Sequence, residues 1–333
     1  MPDEADLNVA VTGPTGTFGY ALMPVLEAEA RVKRVVGVAR RPFYPALQGW
    51  AKMEYRQGDV RDRDGLCEAF KGADVVVHLA FMITGAGGRA ATRAVNVEGT
   101  LNALRAARDV GARRFVYASS IAAYGFHADN PVGMSEEWPT RPADHLFYAQ
   151  EKAEIEQMLA EDAAASEGPD LYLLRPPVVL GPHTVGGKGM LLDMLMSLGR
   201  RLSHTAGRLP IPVPALVPDL PIQLIHEDDV AQALLRCLLG AGLPGTYNIA
   251  ADDTLALPDI ARELGLTPVP VPAGPVGHLA RAVASSPGLP PTVEWAEVLS
   301  RPSVMSTAKA KQELAWQPRH TALDALRETL TGD

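Results

Sequence analysis

Short apolar runs of strand length alternate with amphipathic stretches through the first 180 residues. Residues 7–12 (LNVAVT) form the first run, and residues 20–29 then repeat Leu22, Val25 and Leu26 at helical spacing. Residues 35–39 (VVGVA) and 53–58 predict two more strands, with a helix starting near Asp64. Residues 73–80 (ADVVVHLA) are apolar throughout, as in strands covered on both faces of a parallel sheet. His78 inside that run reads as a satisfied core residue rather than a ligand. Residues 92–109, with Asn96, predict one long amphipathic helix, and residues 113–120 (RRFVYASS) a strand ending at Ser119 and Ser120. Residues 171–180 predict a sixth strand. Strand and helix in strict alternation predict a doubly wound α/β domain with right-handed crossovers.

The pattern then changes. Residues 186–202 predict a helix carrying Met190, Met194 and Met196. Its methionines serve either as core filling or as an adaptable apolar pocket wall. Pro210, Pro212, Pro214, Pro218 and Pro221 exclude a helix or a central strand, so residues 209–221 are expected to be extended, at the mouth of a site. Residues 222–250 return to strand and helix and are expected to rejoin the sheet. Residues 268–291 read as loop or lid, residues 305–316 as a closing helix, and residues 319–330 finish the chain. The expected division is a dinucleotide-binding domain of residues 1–180, 223–250 and about 305–317, and a smaller, mostly helical substrate domain of residues 181–222, 251–304 and the C-terminal helix to 333.

Chemistry enters at the first strand–helix junction. Gly13, Gly16 and Gly19, with Thr15, Thr17 and Phe18 among them, form a glycine-rich turn leading into a helix. Such a turn offers backbone N–H groups and a helix N-terminus to a phosphate. Gly13 and Gly16 allow close approach to a pyrophosphate, and Gly19 allows the helix to pack on the strand. An acid that closes the second strand binds a ribose 2′-hydroxyl in NAD-binding units, but Ala39 stands there, followed by Arg40 and Arg41. Guanidinium groups suit a 2′-phosphate, which favours NADP(H), with NAD(H) as the alternative. Asp59 accepts either an adenine amino group or helix N–H groups as a cap.

Tyr148 and Lys152 stand one helical turn apart on the same face. A cation near a phenol favours phenolate, so the pair predicts a lowered tyrosine pKa and a general acid/base. Ser119 and Ser120 lie at a strand C-terminal end, where ligands of open parallel sheets bind.

Hydrophobic residues make up 47% and charged residues 21%, as in ordinary soluble proteins. A net charge of -8 argues against nucleic-acid binding and against electrostatic attachment to a membrane. Cys67 and Cys237 are too few and too distant for a disulfide framework or a metal site, which points to a reducing compartment. With an acidic N-terminus and no apolar run of spanning length, the expectation is a cytoplasmic, soluble protein without metal.

The ordered motifs resemble the short-chain dehydrogenase/reductase superfamily, in its extended, epimerase/dehydratase-like branch. They are Thr12-Gly13-Pro14-Thr15-Gly16-Thr17-Phe18-Gly19, Asp59-Val60, His78-Leu79-Ala80, Asn96-Val97-Glu98-Gly99-Thr100 and Tyr117-Ala118-Ser119-Ser120. Ala123-Tyr124-Gly125, Tyr148 with Lys152, Leu174-Arg175-Pro176-Pro177, Gly181-Pro182, His226-Glu227-Asp228-Asp229-Val230-Ala231 and Tyr247-Asn248-Ile249-Ala250 follow. The resemblance implies a Rossmann-type sheet and a cofactor held by the glycine turn, Arg40, Arg41, Asp59, Val60, Leu79, Ala80, Pro176, Tyr148 and Lys152. It implies that Tyr148 exchanges a proton with the substrate oxygen, Lys152 lowers its pKa and holds the nicotinamide ribose, and Ser120 (Ser119 as fallback) bonds the reacting carbonyl. It also implies a homodimer.

Departures from the family narrow the chemistry. Val178 stands where sugar-nucleotide epimerases commonly have asparagine, and Ile222 where they often have arginine; Arg301 remains for a phosphate. Ile121 and Ala122 replace the Asp-Glu of dehydratases after the catalytic hydroxyl residue. The expected pocket is apolar, with Phe81, Met82, Ile83, Ile121, Ala122, Met190 and Met194, and suits a small-molecule carbonyl or alcohol. Simple reduction or oxidation is the first expectation. A sugar-nucleotide epimerase is the second, and a non-catalytic NADP-binding sensor the third.

Overall fold

The computed structural model describes residues 6–83, 88–144, 146–184, 214–272 and 301–331. Its centre is a parallel sheet of β1 (Leu7–Thr12), β2 (Val32–Ala39), β3 (Met53–Gln57), β4 (Val75–His78), β5 (Arg114–Ala118), β6 (Asp170–Arg175) and a late strand, Gly245–Asn248. In space the order is β3-β2-β1-β4-β5-β6 with the late strand outside β6, every neighbouring pair parallel. The order reverses between β1 and β4, and a ligand crevice opens at such a switch point.

Alternate residues of each strand feed two cores, as the two-residue side-chain period requires. Val75, Val77 and Val116 pack with Leu22 and Leu26 of α1 (Thr17–Ala28), together with Val230 and Leu234 of the helix Glu227–Leu238. Val76, Phe115 and Tyr117 pack on the other face, where Phe70, Leu104, Ile155 and Leu159 come from α2 (Arg63–Phe70), the helix Gly99–Asp109 and the helix Phe147–Ala165. Each fully buried leucine or phenylalanine here contributes about 1.5–3 kcal/mol. A third core, with Leu180, Leu224, Leu257, Ile260 and Leu326, lies beyond the C-terminal strand ends and carries the far wall of the crevice.

Several expectations are corrected. The sixth strand is not continuous over residues 171–180. Pro176 and Pro177 have no N–H for a ladder, so β6 stops at Arg175, and β7 (Val178–Leu180) pairs instead with Leu224–His226. The helix of residues 92–109 begins earlier and breaks into α3 (Gly88–Arg93), a π turn (Ala94–Glu98) and α4 (Gly99–Asp109). At Gly99 a Cβ would sit 2.4 Å from Val60 Cγ2, so glycine lets α4 start this close to Val60. Residues 268–271, expected as the start of a loop or lid, instead belong to a strand (Thr267–Val271) paired with Pro214–Pro218. Asp62, not Asp59, caps α2, accepting from Gly65 N at 3.0 Å. His78 is a neutral core residue as expected: burial pushes it down to about 3, with Nδ1 2.8 Å from Thr12 Oγ1 and Nε2 3.0 Å from Thr100 Oγ1. No helix among the described residues is long and apolar enough to cross a membrane.

Candidate active site

The glycine turn lies at the switch point. Gly13 has φ +72°, and a Cβ there would come 2.8 Å from Ala80 N, so the turn presses directly against the end of β4. A Cβ on Gly19 would lie 2.4 Å from the Pro14 carbonyl, so only glycine lets α1 start this close to the turn. No side chain caps α1 at Gly16, which leaves the helix N-terminus facing the crevice.

A cavity of about 260 Å³ runs from this turn, lined by Gly13, Gly16, Thr17, Phe18 and Gly19, past Leu79, Ser119, Ser120, Tyr148 and Lys152. The expected Phe81, Ile83, Ile121 and Ala122 line it too, with Phe126, Pro176, Pro177, Val178, Ile222 and the polar Gln223, Arg301 and Ser303 among the other lining residues. The helix beginning at Phe147, α5, brings Tyr148 and Lys152 to the cavity from one face, opposite the end of β5 that carries the two serines.

The serines differ in surroundings. Ser119 donates to Glu156, which also forms a buried ion pair with Arg175, and Arg175 Nη1 donates to Tyr124 Oη at 2.6 Å. This serine belongs to a core network. Ser120 Oγ accepts from Ala122 N at 3.1 Å and is hydrogen-bonded to the Tyr148 phenol.

The electrostatics depart from expectation. Tyr148 lies above its usual 10, because burial penalises the phenolate more than the Ser120 hydrogen bond favours it. Lys152, 3% exposed, does not lower it: Nζ donates to Ala118 O at 2.6 Å and Tyr117 Oη at 3.1 Å, and stands 5.8 Å from the Tyr148 ring centre. Burial pushes Lys152 itself from 10.5 down to about 7, against the opposing pull of Glu156 and Glu151. Phe81 covers the ammonium, with Nζ 3.8 Å from its ring centre, and meets the Tyr148 ring edge-on at 5.5 Å.

The sequence model of the NAD dependent epimerase/dehydratase family matches residues 9–250. The chain belongs to this family. Among its curated relatives, the uncharacterized protein y4nG of Sinorhizobium fredii is 29% identical over 329 residues, covering 96% of this chain and 76% of the relative. Sterol demethylase protein B of Methylococcus capsulatus is 34% identical over 179 residues, 53% of this chain and 52% of that protein. Among solved structures, gox2253 superposes with a TM-score of 0.73 at 26% identity, covering 98% of this chain and 97% of the other. The dTDP-glucose 4,6-dehydratase of Bacillus anthracis, solved with NAD, gives 0.71 at 17% identity and shares the fold, with 97% and 95% coverage. A nicotinamide dinucleotide is thus the cofactor type of the family, and its members are extended short-chain dehydrogenase/reductase-type enzymes.

Within this family member, the remaining sequence-derived site residues are dispersed. Thr15 and Ala80 belong to the turn and the β4 end without lining the cavity. Arg40 and Arg41 are exposed after β2; Arg40 lies close enough to Asp59 to lower its pKa slightly, behind the larger effect of Arg61, whose guanidinium bonds Asp59 at 2.7 Å. Val60 is buried under α4. Met82 leaves the pocket set: it packs into the core beside β4, its backbone clamped by Asn96, which accepts from Met82 N at 2.7 Å. Met190 and Met194 lie outside the described residues. Tyr117, Glu156, Gln223 and Ser303 were missed. Tyr117 and Glu156 had a signal, since each is spaced to share a face with a chosen residue. Gln223 and Ser303 had none, because contacts between distant segments bring them in.

Proposed function

We propose that the chain is a nicotinamide-dependent oxidoreductase acting on a carbonyl or alcohol of a largely apolar small molecule, with NADP(H) favoured over NAD(H). The observation that carries this reading is the meeting of Tyr148, hydrogen-bonded to Ser120, and Lys152 in one cavity with the glycine turn.

The residues fit the cofactor: Gly13, Gly16 and Gly19 line the cavity, so the turn offers backbone without side chains to a pyrophosphate, and the α1 N-terminus beside it is uncapped. When bound, the cofactor supplies or accepts hydride. Tyr148, neutral with its pKa above 10, donates its proton to the carbonyl oxygen during reduction and takes it back during oxidation. Ser120 donates to the same oxygen and stabilises charge developing there. The Lys152 ammonium attracts the negatively charged dinucleotide. Ile121, Ala122, Phe126, Val178 and Ile222 exclude water from the reacting carbon. The apolar wall and the relative named as a sterol demethylase protein support an apolar substrate. Arg40 and Arg41, exposed beyond Ala39, supply the cations for a 2′-phosphate.

Arg301 on the cavity wall favours a second reading, a sugar-nucleotide epimerase, whose diphosphate it would meet. Steady-state oxidation of NADPH and NADH with ketones, sterol-like carbonyls and sugar nucleotides separates the two. Tyr148→Phe is expected to bind cofactor as before and lose about 10²–10⁴-fold in turnover. Near-full activity in that variant refutes the assignment.

A further inference from the structure

Lys152 is held by a set of groups that the reaction itself does not require. Its Nζ has three hydrogens. Ala118 O accepts one at 2.6 Å and Tyr117 Oη another at 3.1 Å. No further acceptor for Nζ occurs among the described residues, although Lys152 lines the cavity, so one N–H remains for a ligand oxygen. Phe81 and Tyr117 place ring centres 3.8 Å and 4.7 Å from Nζ, close enough for both rings to stabilise a cation. Tyr117 is 1% exposed, and its own phenol is pushed well above 10 by burial, so it stays a neutral hydroxyl.

We propose that Tyr117 is a positioning residue: its hydroxyl, helped by the Phe81 ring face, holds the Lys152 ammonium against β5 and leaves one N–H aimed at the bound dinucleotide. This rests on Lys152 serving the cofactor, as in the reading above. Both devices favour the charged lysine, opposing the burial that brings it down to about 7. The titratable groups around Lys152 are Glu151, Glu156 and Tyr148 from its own helix, Tyr117 from β5 and His78 from β4. His78 stays neutral above about 3, both glutamates favour the ammonium, and the two phenols are neutral below 10. Within this group the lysine is the one brought to about 7, so a break in cofactor affinity near that pH reports on its charge.

The test is fluorescence titration of NADH and NADPH across pH values on both sides of that break, with no substrate and no turnover. Wild-type affinity is expected to fall as pH rises through about 7. Tyr117→Phe, which keeps the buried ring, is expected to move that break about one unit lower and weaken binding at pH 7 by about tenfold, the effect of one hydrogen bond to a charged group. Phe81→Leu, at the cavity surface, should move it the same way by less. Lys152→Met should remove the break. Thermal unfolding at pH 7 accompanies each variant. A break unmoved in both ring variants, or retained in Lys152→Met, overturns the proposal. Near-full turnover of Tyr148→Phe would refute the proposed reaction and leave this binding readout intact, so the two readings fail separately.

Discussion

Replacing Lys152 by Met tests the electrostatics of the site without any ligand. In the unfolded chain the lysine titrates near 10.5, and in the folded protein near 7. Between these values the unfolded state binds more protons than the folded state, so unfolding free energy rises with pH. Below about 7 both states are charged and the penalty is constant. The full difference corresponds to about 5 kcal/mol, of which about 3 kcal/mol is expressed between pH 7 and 9.5. Three other perturbed groups around Lys152 stay clear of the window. His78 titrates near 3 in the folded state, so its loss of stability comes as pH falls below 6.5. The raised phenols of Tyr117 and Tyr148 act in the opposite sense, but only from pH 10 upward, where the unfolded phenols ionise first. Urea unfolding at pH 7, 8, 8.75 and 9.5 should show wild type gaining stability relative to Lys152→Met by about 3 kcal/mol across the series. Parallel curves would refute a buried lysine near 7.

Glu156→Gln leaves the Arg175 guanidinium, 5% exposed, without its carboxylate, and should cost about 3–5 kcal/mol, read as a Tm lower by roughly 4–7 °C in calorimetry. Gly19→Ala forces a Cβ onto the Pro14 carbonyl 2.4 Å away, and should weaken NADPH and NADH alike in fluorescence titration, by about 10² if the turn shifts by an ångström. Replacing Arg40 and Arg41 together by Ala should weaken NADPH much more than NADH; equal losses would remove the 2′-phosphate argument. Ser120→Ala should lower turnover by about 10²–10³ with cofactor affinity kept, whereas Ser119→Ala should show its effect in Tm, through Glu156.

Much of this protein is local and therefore present in the order of its residues. Buried parallel strands such as residues 75–78 need apolar side chains on both faces, and the alternation of such runs with helical spacing prescribes the parallel sheet. The glycine turn is legible because a Cβ at Gly13 would come 2.8 Å from Ala80 N, so that position can carry no side chain. Tyr148 and Lys152 are legible as a pair because helical geometry alone puts them on one face. Tertiary structure decided the rest. Spacing predicts that Lys152 acts on the Tyr148 phenol, but the lysine's hydrogen bonds go to Tyr117 and Ala118, across 34 or more residues of chain, and burial then outweighs the charge on both side chains. The choice between Ser119 and Ser120 rested on which serine met Glu156, a contact set by the packing of α5 on β5. Two prolines after Arg175 ended a strand that hydrophobicity alone would have continued, because a ladder needs N–H groups that apolar character does not report. Periodicity is a property of neighbours along the chain. Desolvation and hydrogen-bond partnership are properties of neighbours in space, and these set the protonation states on which the chemistry of Tyr148 and Lys152 depends.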